Sequence, residues 1–130
     1  MAERVMKELY VIVKEEDVRI VAEGPIGGFS RKAKKVLEDI ARIKDSSAYL
    51  AVDEDSFRLH PAMPLPSDEL RVWVCGGFTH GTCALQLYSL RKAGYDAYYH
   101  STACLDFLGR LVDPKQLPNF RELVPEYYAN

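Results

Sequence analysis

Residues 70–100, LRVWVCGGFTHGTCALQLYSLRKAGYDAYYH, constrain the fold of this chain more than any other stretch. The opening LRVWVC is apolar at every position except Arg71, as expected of a strand buried on both faces. A glycine-rich turn follows, and then Ala84, Leu87, Leu90 and Arg91 recur at helical spacing until Gly94 closes the helix. Residues 95–100 form the next strand. Two strands joined through a helix must be connected by a crossover, which makes them parallel. The predicted fold class is therefore α/β, a small single-domain sheet with at least one parallel βαβ unit over residues 70–100.

The remainder predicts further elements. Residues 9–13 and 18–22 are rich in β-branched side chains and flank the charged Lys14-Glu15-Glu16-Asp17, which predicts an N-terminal β-hairpin. Gly24-Pro25 begins a loop ending in Gly27-Gly28-Phe29-Ser30, with Ser30 as the cap of a helix carrying Ala33, Val36, Leu37, Ile40 and Ile43 on one face. Residues 48–52 read as a short strand, turning through Asp53-Glu54-Asp55-Ser56 into 57–60 as a second hairpin. HPAMPLPSDE, with three prolines in six residues, must be loop. Residues 101–110 are expected to form a loop with a helical turn, and the tail from Asp113 one short helix near 120–123. GGFS at 27–30 and GGFT at 76–79 stand 49 residues apart, as do Ala48-Tyr49 and Ala97-Tyr98. An internal βαβ duplication and turn chemistry shared by two strand–helix junctions both account for that spacing.

A chain of 130 residues fits one domain with one core. Its formal net charge of −2 gives no electrostatic case for nucleic acid or an anionic membrane as partner. No apolar run approaches the roughly 18 residues of a membrane span, and the N-terminus has no signal-peptide core. A cytoplasmic location is expected. Three cysteines there are free thiols, ligands or a catalytic group before they are a disulfide framework.

Ligands of parallel sheets bind outside the carboxyl ends of the strands. That edge is expected to collect Cys75, His80, Cys83, His100 and Cys104, so that all three cysteines and two of the three histidines fall within 30 residues. Three chemistries fit. Backbone N–H groups at the helix start, with glycines beside them, can cradle an anion. A cysteine in a first helical turn can have its thiolate stabilised, with His80 close enough to assist. His-x-x-Cys and His-x-x-x-Cys pairs can bind metal, although the paired Cys-x-x-Cys spacing of strong zinc sites is missing. Against these stands the packing of free cysteine as a small buried apolar group.

Residues 71–107, RVWVCGGFTHGTCALQLYSLRKAGYDAYYHSTACLDF, resemble the carboxyl-terminal part of the isochorismatase-like (cysteine hydrolase) superfamily, over under a third of the chain. The match is to its aryl-acid branch, with Gly-x-Tyr-Ala-His-x-Gly-Cys and a later Ala-Asp-Phe; Gly76, Phe78, His80, Cys83 and Asp106-Phe107 resemble those positions. Thr82 stands where the superfamily usually carries its nucleophilic cysteine. The strand ELYVIVKEED lacks the family's Asp-x-Gln setting for a catalytic acid. The resemblance also implies a non-proline cis peptide between Gly77 and Phe78. Thr79-His80-Gly81-Thr82 is similar, more weakly, to the phosphate loop of type I phosphoribosyltransferases, which adds only the anion cradle.

These readings converge on a small-molecule-binding protein acting on a small anionic or aromatic metabolite. Hydrolysis would use Cys83 or Thr82 as nucleophile, His80 as base and Asp106 as orienting group, with an acid from elsewhere, Asp53 or Asp17. Gly76, Gly77, Phe78, Thr79, Gly81 and His100 are the expected ligand-binding residues. No cofactor is expected. The alternatives are a non-catalytic protein that self-associates as a homo-oligomer or binds a partner through LPNFRELVPEYYAN, and a Cys/His metal-binding protein.

Overall fold

A computed structural model describes residues 6–25, 27–54, 57–106 and 113–116 of the chain. Its elements run β1 (Lys7–Val13), α1 (Glu15–Ala22), α2 (Gly28–Ser46), β2 (Tyr49–Val52), β3 (Leu70–Gly77), α3 (Thr82–Lys92) and β4 (Asp96–Leu105). The strands form one sheet in the order β2-β1-β3-β4, with every neighbouring pair parallel. The α/β class and the βαβ unit over residues 70–100 are thus present. Every strand ends at the same edge, which makes that edge the place where loops of distant sequence meet.

The strands alternate between two cores. On one face Leu9, Val11, Val13, Val72 and Val74 pack under Cys83, Leu87 and Leu90 of α3. On the other, Ile12, Cys75, Ala103 and Leu105 meet Val18 of α1 and Ala33, Val36 and Ile40 of α2. A parallel sheet covered on both sides needs apolar residues at both parities of its strands, which is why LRVWVC shows no alternation.

The N-terminal hairpin does not form. Residues 18–22 lie in α1, with Val18 and Ala22 buried one turn apart. The segment that reads as a charged turn is a helix start: Glu15, Glu16 and Asp17 occupy the first turn, where carboxylates complement the helix dipole. Arg19 lies 3.8 Å from Glu15 and 3.5 Å from Glu16. Lys14, in the left-handed region (φ 47°), makes the corner between β1 and α1. An internal βαβ duplication is therefore missing its first strand, and GGFS joins two helices where GGFT ends a strand. The two turns do meet, through stacked Phe29 and Phe78 rings with centroids 6.3 Å apart.

Ser30 is buried but does not cap α2; its hydroxyl donates to Ala22 O at 2.9 Å and ties α2 to the end of α1. The second hairpin is also absent, since residues 57–60 form no strand. That segment instead runs beside α3, where Gln86 Nε2 donates to Arg58 O at 2.9 Å. Residues 101–105 belong to β4 and not to a loop. The helix expected near 120–123 and the tail considered for self-association lie outside the described residues.

Gly76 fixes the spacing of β1 and β3. Its φ is +109°, and an added Cβ would lie 1.9 Å from Val13 O, with the carbonyl carbon and nitrogen of Val13 also inside 3 Å. Gly76→Ala is expected to cost about 4 kcal/mol or more, since neither the backbone angle nor the neighbouring strand can yield cheaply. Denaturant unfolding of the variant would show it, and a midpoint within error of the parent would overturn this account of the β1–β3 contact.

Candidate functional site

The turn between β3 and α3 sits at the carboxyl edge, beside the end of β4. Thr79 N–H donates to Leu105 O at 3.0 Å, and the Tyr99 hydroxyl donates to Thr79 O at 3.0 Å. Phe78 O accepts from Gly81 N–H at 2.9 Å and from Cys83 N–H at 3.3 Å. The peptide between Gly77 and Phe78 is cis, as the resemblance implies. The two Thr79 bonds anchor the turn to β4, and those of Phe78 O close the turn on itself.

From this turn His80 faces Asp106. Nδ1 of His80 lies 3.0 Å from Asp106 Oδ1, across 26 residues of sequence. Asp106 is 3% exposed, whereas the His80 side chain is 39% exposed. An ionised carboxylate can only accept, so the proton of the neutral imidazole belongs on Nδ1 and its lone pair on Nε2. A buried carboxylate that orients a solvent-accessible imidazole is the arrangement a general base needs.

Two threonines complete the turn. Thr79 is 2% exposed, and among the described residues its Oγ1 has no hydrogen-bond partner. A buried hydroxyl without a partner is uncommon in folded proteins and marks a place where a polar ligand atom would be welcome. Thr82, at the first turn of α3, is also buried. That turn has no acidic residue and no side-chain cap; Phe78 O takes the Cys83 N–H, and the partial positive charge of the helix dipole stays at this end.

The cysteines stand apart from this chemistry. Cys75, Cys83 and Cys104 are all free and buried. The Cys83 thiol donates toward Cys75 O at 3.7 Å, and that of Cys104 toward Val74 O at 2.9 Å. Burial, with the other cysteines adding to it, pushes the Cys75 and Cys83 thiols well up from their ordinary value. A nucleophilic cysteine needs the opposite shift. The structure therefore lends the thiolate role considered for Cys83 no support. No group of three or more His, Cys, Asp or Glu side chains in a metal-holding arrangement occurs among the described residues.

Other expected ligand-binding residues serve the fold. Gly76 and Gly77 are buried inside β3, against Val13 and Val18. Phe78 is half-buried against Phe29, whereas Gly81 is exposed at the helix start. His100 does not end its strand. It lies five residues before the end of β4, with its ring 5.9 Å from those of Tyr10 and Trp73. Of the acids considered, Asp17 stands in the first turn of α1, and Asp53 follows β2 at the carboxyl edge.

Sequence reasoning missed a cavity of about 490 Å³ at the end of β2, lined among others by Val52, Asp53, Glu54, Arg58, Leu59 and His60. Only the fold brings residues 51–54 and 58–61 together. His60 Nδ1 accepts from Ala62 N–H at 3.0 Å.

The burial of all three thiols predicts their chemistry. In the folded chain, a disulfide reagent such as DTNB at neutral pH should modify them at least about tenfold more slowly than free cysteine. All three should react once the chain is unfolded. Rapid modification of Cys83 in the folded state would return the thiol to the candidate catalytic groups.

Comparison with known proteins finds no matching family model, no matching curated protein and no matching solved structure.

Proposed function

We propose that this chain binds a small anionic or aromatic metabolite at the β3–α3 turn, with His80 as general base and Asp106 as its orienting group. The observation that carries this reading is the 3.0 Å contact between the His80 imidazole and the nearly inaccessible Asp106 carboxylate. The Thr79 hydroxyl, without a partner among the described residues, and the start of α3, which no side chain caps, supply donors for an anionic oxygen within the same turn.

The resemblance to isochorismatase-like hydrolases suggests the reaction class. A hydrolytic step here would begin with Nε2 of His80 taking a proton from water or from a hydroxyl, Thr82 being the hydroxyl nearest in sequence. The resulting imidazolium would be held by the Asp106 carboxylate. Cys83 takes no part, because its thiol is buried and held protonated. The acid that the family places after its first strand has no counterpart here, since Lys14 follows β1.

Benzoate, as the simplest aryl acid, is the first probe. Its titration should shift the amide resonances of residues 79–82 in an NMR spectrum of the folded chain. Asp106→Asn, which keeps the size and removes the charge, should weaken that binding by about tenfold, the worth of a charge-assisted hydrogen bond in a partly buried site. His80→Gln should abolish turnover in any aryl ester or amide screen that shows it. Shifts confined to other parts of the chain, or binding unaltered by Asp106→Asn, would refute the assignment.

A further inference from the structure

Asp106 reaches His80 only because β4 changes face before it ends. From Val74 to Gly76, β3 advances two residues, whereas its partner β4 advances five, from Tyr99 to Cys104. Three extra residues are thus folded into β4. Before this bulge Ala97 and Tyr99 pack on the α3 side of the sheet; after it, Cys104 does, while Ala103 and Leu105 join the α1–α2 side. An odd insertion inverts the alternation of every residue beyond it. Asp106 continues the new alternation and so falls on the side of α3, where His80 is. With an uninterrupted β4 it would point to the opposite face.

The bulge is closed by a side chain within it. His100 Nδ1 accepts from Ala103 N–H at 3.1 Å and from Thr102 N–H at 3.3 Å, with the Thr102 hydroxyl 3.4 Å away. An atom facing two backbone donors must be the unprotonated nitrogen, so the ring is neutral with its proton on Nε2. Tyr10 and Trp73 hold the ring on the α1–α2 side of the sheet.

We infer that His100 is a positioning residue: its neutral imidazole latches the β4 bulge, and the latched bulge is what sets Asp106 against His80. Protonating Nδ1 would replace the acceptor with a third donor at one point. Acid would then release the latch and, with it, the orientation of His80.

The surroundings of the ring favour the neutral form. Burial pushes the His100 imidazole down from its ordinary value, against a smaller upward pull from Glu8. The charged and titratable groups on this side of the strands are Tyr49 of β2, Glu8 and Tyr10 of β1, Arg71 and Cys75 of β3, and Asp96 and Tyr98 of β4. Arg71 and Asp96 lie 3.5 Å apart and offset each other, and the Tyr10 hydroxyl donates to Glu8 at 3.3 Å. From α2, Ala33, Val36 and Ile40 enter this core, while Lys44 is held by Glu15 at 2.7 Å. Because the folded chain binds this proton less readily than the unfolded one, the contribution is complete above the unfolded value of about 6.5. It drains away as pH falls through the lower folded value.

The inference rests on His80 and Asp106 being the working pair of the site. Its test reads their geometry and not ligand binding, so each can fail without the other. In the full chain labelled with ¹⁵N-histidine, the hydrogen-bonded Nδ1 proton of His80 should be visible in the parent and in His100→Asn, whose Oδ1 replaces the acceptor. In His100→Phe, which keeps a ring against Tyr10 and Trp73, that signal should vanish, and protection of the Ala103 amide should fall by about tenfold. Retention of both in His100→Phe, or their loss in His100→Asn as well, would overturn the latch. Should His100→Phe fail to fold, an acid titration of the parent decides. Ala103 protection must fall as His100 titrates, and protection that persists through that titration overturns the proposal.

Discussion

The close approach of β1 and β3 at Gly76 is the contact on which the rest of the molecule is assembled. β3 is the one strand with a neighbour on each side that also feeds the candidate turn, and it can lie parallel to β1 over seven residue pairs only because Gly76 has no side chain. The same residue marks the point where the pairing of β3 with β4 resumes after the bulge. One backbone position thus ties the sheet centre to the register of the outer strand. The β3–α3 turn follows immediately, so its geometry is inherited from that contact.

The sheet divides its two faces between different tasks. The α3 side carries the Leu9, Val11, Val13, Val72 and Val74 rows, and it ends at the carboxyl edge in the pair of His80 and Asp106. The α1–α2 side carries Tyr49, Tyr10, Trp73 and Tyr98 at mutually paired positions across all four strands. Arg71 lies over the Trp73 and Tyr98 rings, 5.9 and 5.6 Å from their centroids, and Lys44 lies 5.7 Å from the Tyr49 ring. Cation–aromatic contacts of this kind let charged side chains cover an aromatic row without leaving water. The bulge in β4 links the faces, since His100 belongs to one side and the Asp106 it is proposed to position belongs to the other.

The βαβ unit was legible because its signals are local and agree: an unbroken apolar strand, a glycine turn, helical periodicity and a glycine stop. The N-terminal hairpin was misread for an equally local reason. Val18, Ile20 and Val21 favour strand by composition, but Val18 and Ala22 are spaced for one helical face, and the preceding carboxylates suit a helix start. His80 could be singled out from its residue type and its place at a strand–helix junction, and Asp106 only through the family resemblance. Their contact could not be derived, because it depends on the parity of β4, and nothing in His100-Ser101-Thr102 distinguishes a bulge from continuing strand. His100 itself was placed at the edge for the same reason, since a strand read as ending at residue 100 hides its last five residues.

The clustering of cysteines and histidines within 30 residues resolves into two populations with opposite environments. The thiols lie buried just inside the sheet edge, Cys83 and Cys104 on the α3 side and Cys75 on the α1–α2 side, and burial pushes those of Cys75 and Cys83 well up. His80 lies one turn further out, partly open to solvent, with a carboxylate behind it. Sulfur chemistry and imidazole chemistry at such a junction place opposite demands on the helix start. A thiolate nucleophile would have to sit where the N–H dipoles reach it, and the chain places an apolar contact there, Cys83 packed with Leu87. The dipoles are then left to act on Thr82 and on whatever enters from outside. Oxygen nucleophiles and oxyanions are the chemistry the proposed site would accommodate, with the imidazole oriented by a buried acid as the base they would require.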